Sequence, residues 1–285
     1  MIVDTHTHFY DPGRPQGVPW PPPDSPLYRA VLPEEFRSIA APRGVAATVV
    51  VEASEWVTDN DWVLEIAAGD PMIAGFVGRL DLTDDAFPSH LERFAHTPRF
   101  RGIRLNGRAV EETMRSSGFA GNLSELARLG LALDLNVGPE LLDYVLTLTE
   151  STPDLTIVLD HMGGSSRADG RPDDALLETL RRIAERPHVY CKLSGFVEAA
   201  AKHHEPVPRD HGYYRRVFDA LFDALGPRRL LWASNWPVSA VMAPYEVVCG
   251  ILEGWIETHE AADGDAMRRG NAVVAYGLDL DRLRP

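Results

Sequence analysis

Eight short β-rich runs alternate with helical patterns along almost the whole chain, and this rhythm limits the fold more than any other feature. The first run begins at Ile2. The others are Ala47–Glu52, Ile73–Leu82, Gly102–Leu105, Leu131–Asn136, Leu155–Leu159, Val189–Leu193 and Leu230–Ala233. Several are apolar throughout, as parallel strands are when helices cover both sheet faces. Helical periodicity fills the gaps: Pro33–Ala41, Thr58–Ala68, Asp84–Ala95, Asn122–Leu129, Pro139–Glu150, Asp173–Glu185, Gly212–Leu225 and Tyr245–His259. Pro33 with Glu34 and Glu35 suits a first turn, Thr58 is placed to cap, and Asp173-Asp174 marks another start. Units repeating about every 30 residues predict an α/β protein, either a (β/α)₈ TIM barrel or a doubly wound open sheet.

Two stretches break the rhythm. Asp11–Pro26 is rich in proline and glycine around Trp20 and reads as an entrance loop or lid. Phe196–His211 carries His203, His204 and His211. No repeat, low-complexity tract or linker interrupts residues 1–285, which read as one barrel-sized domain.

A net charge of −14 excludes nucleic acid and anionic membrane as main partners, because both demand basic surfaces. Cys191 and Cys249 sit apart in apolar runs, as buried thiols of a reducing compartment do. No signal peptide or membrane-length apolar run is present, so the expected setting is cytoplasmic, as a monomer or homodimer acting on a small molecule.

Polar residues collect at the strand ends, where a barrel carries its chemistry. His6 and His8, two apart on the first strand, share a face and suit either a metal ion or an array of proton donors. Later strands end at Glu52, at Arg104 and Asn106, at Asn136, at Asp160-His161, at Lys192 and Ser194, and at Ser234-Asn235. Glu52 and Asn136 read equally as strand-end caps, and Arg104 as a structural ion pair. Trp20, Trp56 and Trp236 are placed to line the mouth.

These motifs carry a resemblance. H-x-H on strand one, Gly102-Ile103-Arg104 on strand four, Asp160-His161-Met162-Gly163 on strand six, Lys192–Gly195 on strand seven and Trp232–Pro237 on strand eight resemble the amidohydrolase-related family. Gly270-Asn271-Ala272 and Tyr276-Gly277-Leu278 extend the match. The likeness is greatest to its lactonase branch: 2-pyrone-4,6-dicarboxylate lactonase, sugar-acid lactonases and sulfomuconolactone hydrolase. It favours the barrel and implies that water opens a small, anionic lactone or cyclic ester. His6, His8 and His161 would polarise the carbonyl, with or without a divalent metal, and Arg104 would bind a substrate carboxylate as a planar fork. Lys192, Glu52, Asn136 and Trp236 complete the implied substrate contacts.

Strand eight departs from the family, which places an aspartate where this chain has Asn235. An amide is a poor metal ligand and no general base near neutrality. Asn235 is therefore expected to orient water or substrate. With His6 and His8 as the metal ligands, the expectation is no required metal, or one weakly held divalent ion, zinc by preference. Four explanations stand open. Another base serves, from His203, His204, His211 or Glu52; the reaction is a decarboxylation, isomerisation or elimination; the chain binds ligand without turnover; or an aspartate was changed deliberately.

Overall fold

A computed structural model describes residues 1–115, 119–164, 172 and 174–280. Its strands run β1 (Ile2–Thr7), β2 (Val45–Val51), β3 (Ile73–Gly78), β4 (Phe100–Asn106), β5 (Ala132–Asn136), β6 (Ile157–Leu159), β7 (Val189–Leu193) and β8 (Leu230–Trp232). All pair in parallel in the order β1 to β8. The ends of the sheet meet through the Thr7–Trp236 bridge and the Thr5 hydroxyl on the Trp232 carbonyl. The expected (β/α)₈ barrel is the fold, and the open sheet is excluded.

The helices follow in turn: α1 (Pro33–Ala40), α2 (Asp59–Gly69), α3 (Phe87–Ala95), α4 (Gly107–Arg115), α5 (Phe119–Arg128), α6 (Leu142–Ser151), α7 (Asp174–Ala184), α8 (Phe196–Ala201), α9 (His211–Leu225), α10 (Tyr245–Ile256), α11 (Ala261–Asp265) and α12 (Asn271–Tyr276). Proline at N1 and two acids in the first turn start α1, as read. Thr58 does not cap α2: its backbone is already helical and its side chain bonds no amide there. Asp173 lies outside the described residues. The reading of α3 begins too early, because Asp84 builds a turn by accepting from the Ala86 amide before the helix starts. α4 and α8, absent from the sequence reading, are short elements seated directly after β4 and β7.

Val3, Val49, Val77, Ala132, Val158, Tyr190 and Leu231, from seven different strands, join one buried cluster with Ala272, Ala275 and Tyr276 of α12. Residues from so many strands can meet only inside a closed barrel, and α12 packs against them. A larger cluster seals the strands against the outer helices. Gly102 explains the glycine of its motif: an added Cβ would collide with the Ala132 carbonyl of β5. Among the described residues, no helix is long and apolar enough to cross a membrane.

Candidate active site

Strand-end geometry brings three imidazoles together. The His6 ring lies 4.9 Å from His8 and 4.6 Å from His161, centroid to centroid. Burial pushes His8 down to about 3 and His161 down to about 4; it also holds His6 well below its ordinary value, helped by the Lys192 charge. All three are therefore neutral around pH 7. His8 Nδ1 stands 2.9 Å from the Val51 carbonyl. A carbonyl only accepts, so Nδ1 carries the proton and Nε2 keeps its lone pair. His161 Nδ1 pairs with Ser194 Oγ at 2.9 Å, and His6 Nε2 is buried without a partner.

Beneath the imidazoles lies an ionic floor. Lys192 Nζ sits 2.5 Å from Asp134 Oδ2, 2.9 Å from Asp160 Oδ1 and 3.2 Å from His6 Nδ1. All four residues are fully buried. Burial opposes ionisation of Asp160, but the Lys192 ammonium overrides it and keeps that carboxyl well below the usual range. Asp134 is pushed up by burial to about 6, while Lys192 pulls the other way and Tyr276 donates to it. Lys192 thus organises the site from below, and the structure does not bring it to the cavity as a substrate contact.

Above the floor opens a cavity of about 440 Å³, lined by His8, Trp20, Glu52, Arg104, Asn136, His161 and Asn235 together with Ser54, Glu55, Arg79 and Asn106. That size suits a small ligand. Arg104 Nε donates to Glu52 Oε1 at 2.9 Å, Nη2 reaches the Glu52 carbonyl, and Nη1 stands 3.9 Å from Asp160. Trp20 turns toward His8, as an entrance loop would allow. Trp236 is placed elsewhere: it is fully buried against Phe9 and Phe36, so it packs the core and is no substrate contact. Arg79 escaped the sequence reading because β3 was drawn through it to Leu82, whereas the strand stops at Gly78.

Asn235 has a positive φ of 62°, a region that asparagine and aspartate tolerate better than other non-glycine residues. Its amide nitrogen donates to Glu198 Oε1 at 2.7 Å. Glu198, on α8, is the partner that sequence reasoning missed; attention went to the histidines further along the same segment. Those histidines lie away from the cavity. His203 is exposed, His204 rests on Tyr213, and His211 faces Asp210.

Residues 3–278 match the amidohydrolase family. The chain belongs to that family. This amidohydrolase is 32% identical to an L-fucono-1,5-lactonase of Burkholderia ambifaria, over 97% of this chain and 96% of that enzyme. It is 25% identical to a 4-sulfomuconolactone hydrolase of Rhizobium radiobacter, over 85% of this chain and 77% of that enzyme. A crystal structure of an amidohydrolase from Burkholderia multivorans with bound zinc superposes with a TM-score of 0.84 at 28% identity, covering 98% of this chain and all of that one.

The residues of this amidohydrolase fit a divalent cation of that kind. His8 presents an Nε2 lone pair with its tautomer fixed by Val51, and the unpartnered Nε2 of His6 offers one when its Nδ1 donates to Asp160, 3.3 Å away. Asp160 lies within ligand distance of His6 and His161, but the Lys192 ammonium already engages it. Asn235 adds no charge.

Proposed function

We propose that this amidohydrolase opens a small, hydroxyl-rich lactone of the sugar-acid kind by attack of water. One observation carries the reading: neutral imidazoles converge on a cavity whose charged lining balances, Arg79 and Arg104 against Glu52 and Glu55. The sequence reading of an anionic substrate rested on Arg104. Glu52 meets that guanidinium at 2.9 Å, which favours a neutral ring carrying hydroxyls over a polyanion. Ser54, Asn106 and Asn136 offer donors and acceptors for such hydroxyls, and Trp20 offers a flat apolar face. The L-fucono-1,5-lactonase relative, matched over nearly its full length, supports the same class.

A single divalent cation would be held by His6, His8 and His161, and zinc suits imidazole donors. Bound there, it supplies Lewis-acid polarisation of a carbonyl. Because Lys192 already neutralises Asp160, the one carboxylate within reach of the imidazoles among the described residues, the ion would be held weakly. The chain's own groups do the remaining work. Val51 and Ser194 orient two imidazoles, Lys192 balances the acids beneath them, and Arg104 with Glu52 shapes the far wall. The buried free thiols Cys191 and Cys249 support a reducing, cytoplasmic setting.

Proton release from a panel of sugar-acid 1,4- and 1,5-lactones tests the reading, with hydrolysis in ¹⁸O water locating the attacking oxygen. Turnover of at least one lactone with label in the product carboxylate is expected. If no lactone is hydrolysed with zinc supplied, the reading falls.

A further inference from the structure

Glu198 sets a buried carboxyl against Asn235. Asn235 aims its amide at Glu198 Oε1, 2.7 Å away. The other oxygen, Oε2, is enclosed and has no partner. Glu198 lines a second chamber of about 310 Å³, and this chamber shares His161, Asn235 and Val238 with the main cavity. The Glu198 carboxyl therefore borders a chamber that shares its Asn235 and His161 wall with the main cavity.

We propose that Glu198 takes the proton from the attacking water, with Asn235 as its positioning residue. The inference rests on the lactone-hydrolysis reading above. The water oxygen bonds to the lactone carbonyl carbon while its proton passes to the Glu198 carboxylate. The ring C–O bond then breaks, and the leaving alkoxide takes that proton from Glu198. The product is an open-chain hydroxy acid, whose carboxyl ionises and releases one proton to solvent.

The competing bases are otherwise engaged. Glu52 is tied to Arg104 and Asp134 to Lys192. Asp160 keeps an unpartnered Oδ2, but the Lys192 ammonium holds its carboxyl well below the usual range, which makes it a weak base. Glu55 stands exposed at the rim. His8 and His161 are assigned to the cation and the carbonyl it would polarise. Glu198 is raised to about 7 by burial, against the opposing pull of its own backbone amide and of Asn235, which matches a base working near neutrality. Among the described residues, Lys202 and His161 line the same chamber, and Tyr214 feels its charge.

The test is lactone hydrolysis followed by proton release from about pH 5 to 9, comparing the zinc-supplied wild type with Glu198→Gln. A base must be ionised to act, so wild-type kcat/KM should rise with pH through about 7. In Glu198→Gln, kcat should fall roughly 10²–10⁴-fold and the rising limb should vanish, with KM changing less than about threefold. Thermal melting checks that the variant folds. Should it melt early, Asn235→Ala leaves the carboxylate but removes the amide that stabilises its charged form, so the limb should move to higher pH. Wild-type kcat in Glu198→Gln, or an unmoved limb in Asn235→Ala, overturns the proposal and leaves the lactonase reading standing. A wild type that hydrolyses no lactone overturns both.

Discussion

Lys192 and Asp160 face each other 2.9 Å apart with neither side chain reaching solvent. The same ammonium neutralises Asp134, so one cation holds two buried acids under the imidazole cluster. Breaking such a group leaves charge uncompensated in a low-dielectric interior. Lys192→Met should therefore lose about 3–5 kcal/mol of stability, measured by urea unfolding at pH 7. A loss below about 1 kcal/mol would show that the acids are not held ionised by Lys192.

Glu198 should make the fold less stable as pH rises. Its carboxyl moves from 4.5 to about 7 on folding because burial disfavours the charged form. Between those values the folded state binds more protons than the unfolded state, so stability falls with increasing pH and the cost is complete above about 7. Glu198→Gln removes the slope. Relative to wild type it should gain stability progressively from about pH 4.5, reaching on the order of 3 kcal/mol above about pH 7, read from paired urea titrations. Parallel stability curves for the two proteins would contradict this.

An aspartate in place of Asn235 should not help this enzyme. Asn235→Asp replaces a donor 2.7 Å from Glu198 with a second acid, and two carboxylates that close share one proton. The rising limb should move to higher pH by about one unit or more, with activity at pH 7 falling roughly tenfold. A pH–rate profile checks this, and higher activity at pH 7 would refute it.

Two tryptophans should part company under mutation. Trp20 lines the cavity, so Trp20→Ala should raise KM about tenfold with kcat little changed, the mark of binding shared by ground and transition states. Trp236 is walled in by Phe9 and Phe36, so Trp236→Leu should cost about 2–4 kcal/mol by urea unfolding while KM stays near wild type. Reversed results would place Trp236 at the substrate and Trp20 in the packing.

Much of the site was legible because a barrel strand exposes its chemistry at a known end. His6, His8, Glu52, Arg104, Asn136, His161 and Asn235 were named from strand-end position, and the structure brings them together around the cavity and the cluster beneath it. Trp236 misled because adjacency to Asn235 in sequence says nothing about which way a side chain turns. Arg79 and Glu198 were hidden by errors in local structure, an overlong β3 and an unrecognised α8. Asp134 was hidden too, since one acid inside Ala132–Asn136 carries no signal until its partners are in view.

The sequence by itself determined the α/β periodicity and the motifs of the family, since alternating apolar runs and spaced motifs are properties of neighbours along the chain. Closure of the sheet into a barrel came from the Thr7–Trp236 contact. Only the tertiary structure decided which charges cancel and which proton sits where. Lys192 meets Asp134 across 58 positions, Glu52 meets Arg104 across 52, and Glu198 meets Asn235 across 37. A side chain's ionisation depends on burial and on partners a few ångströms away, and closure of the barrel alone brings those partners together.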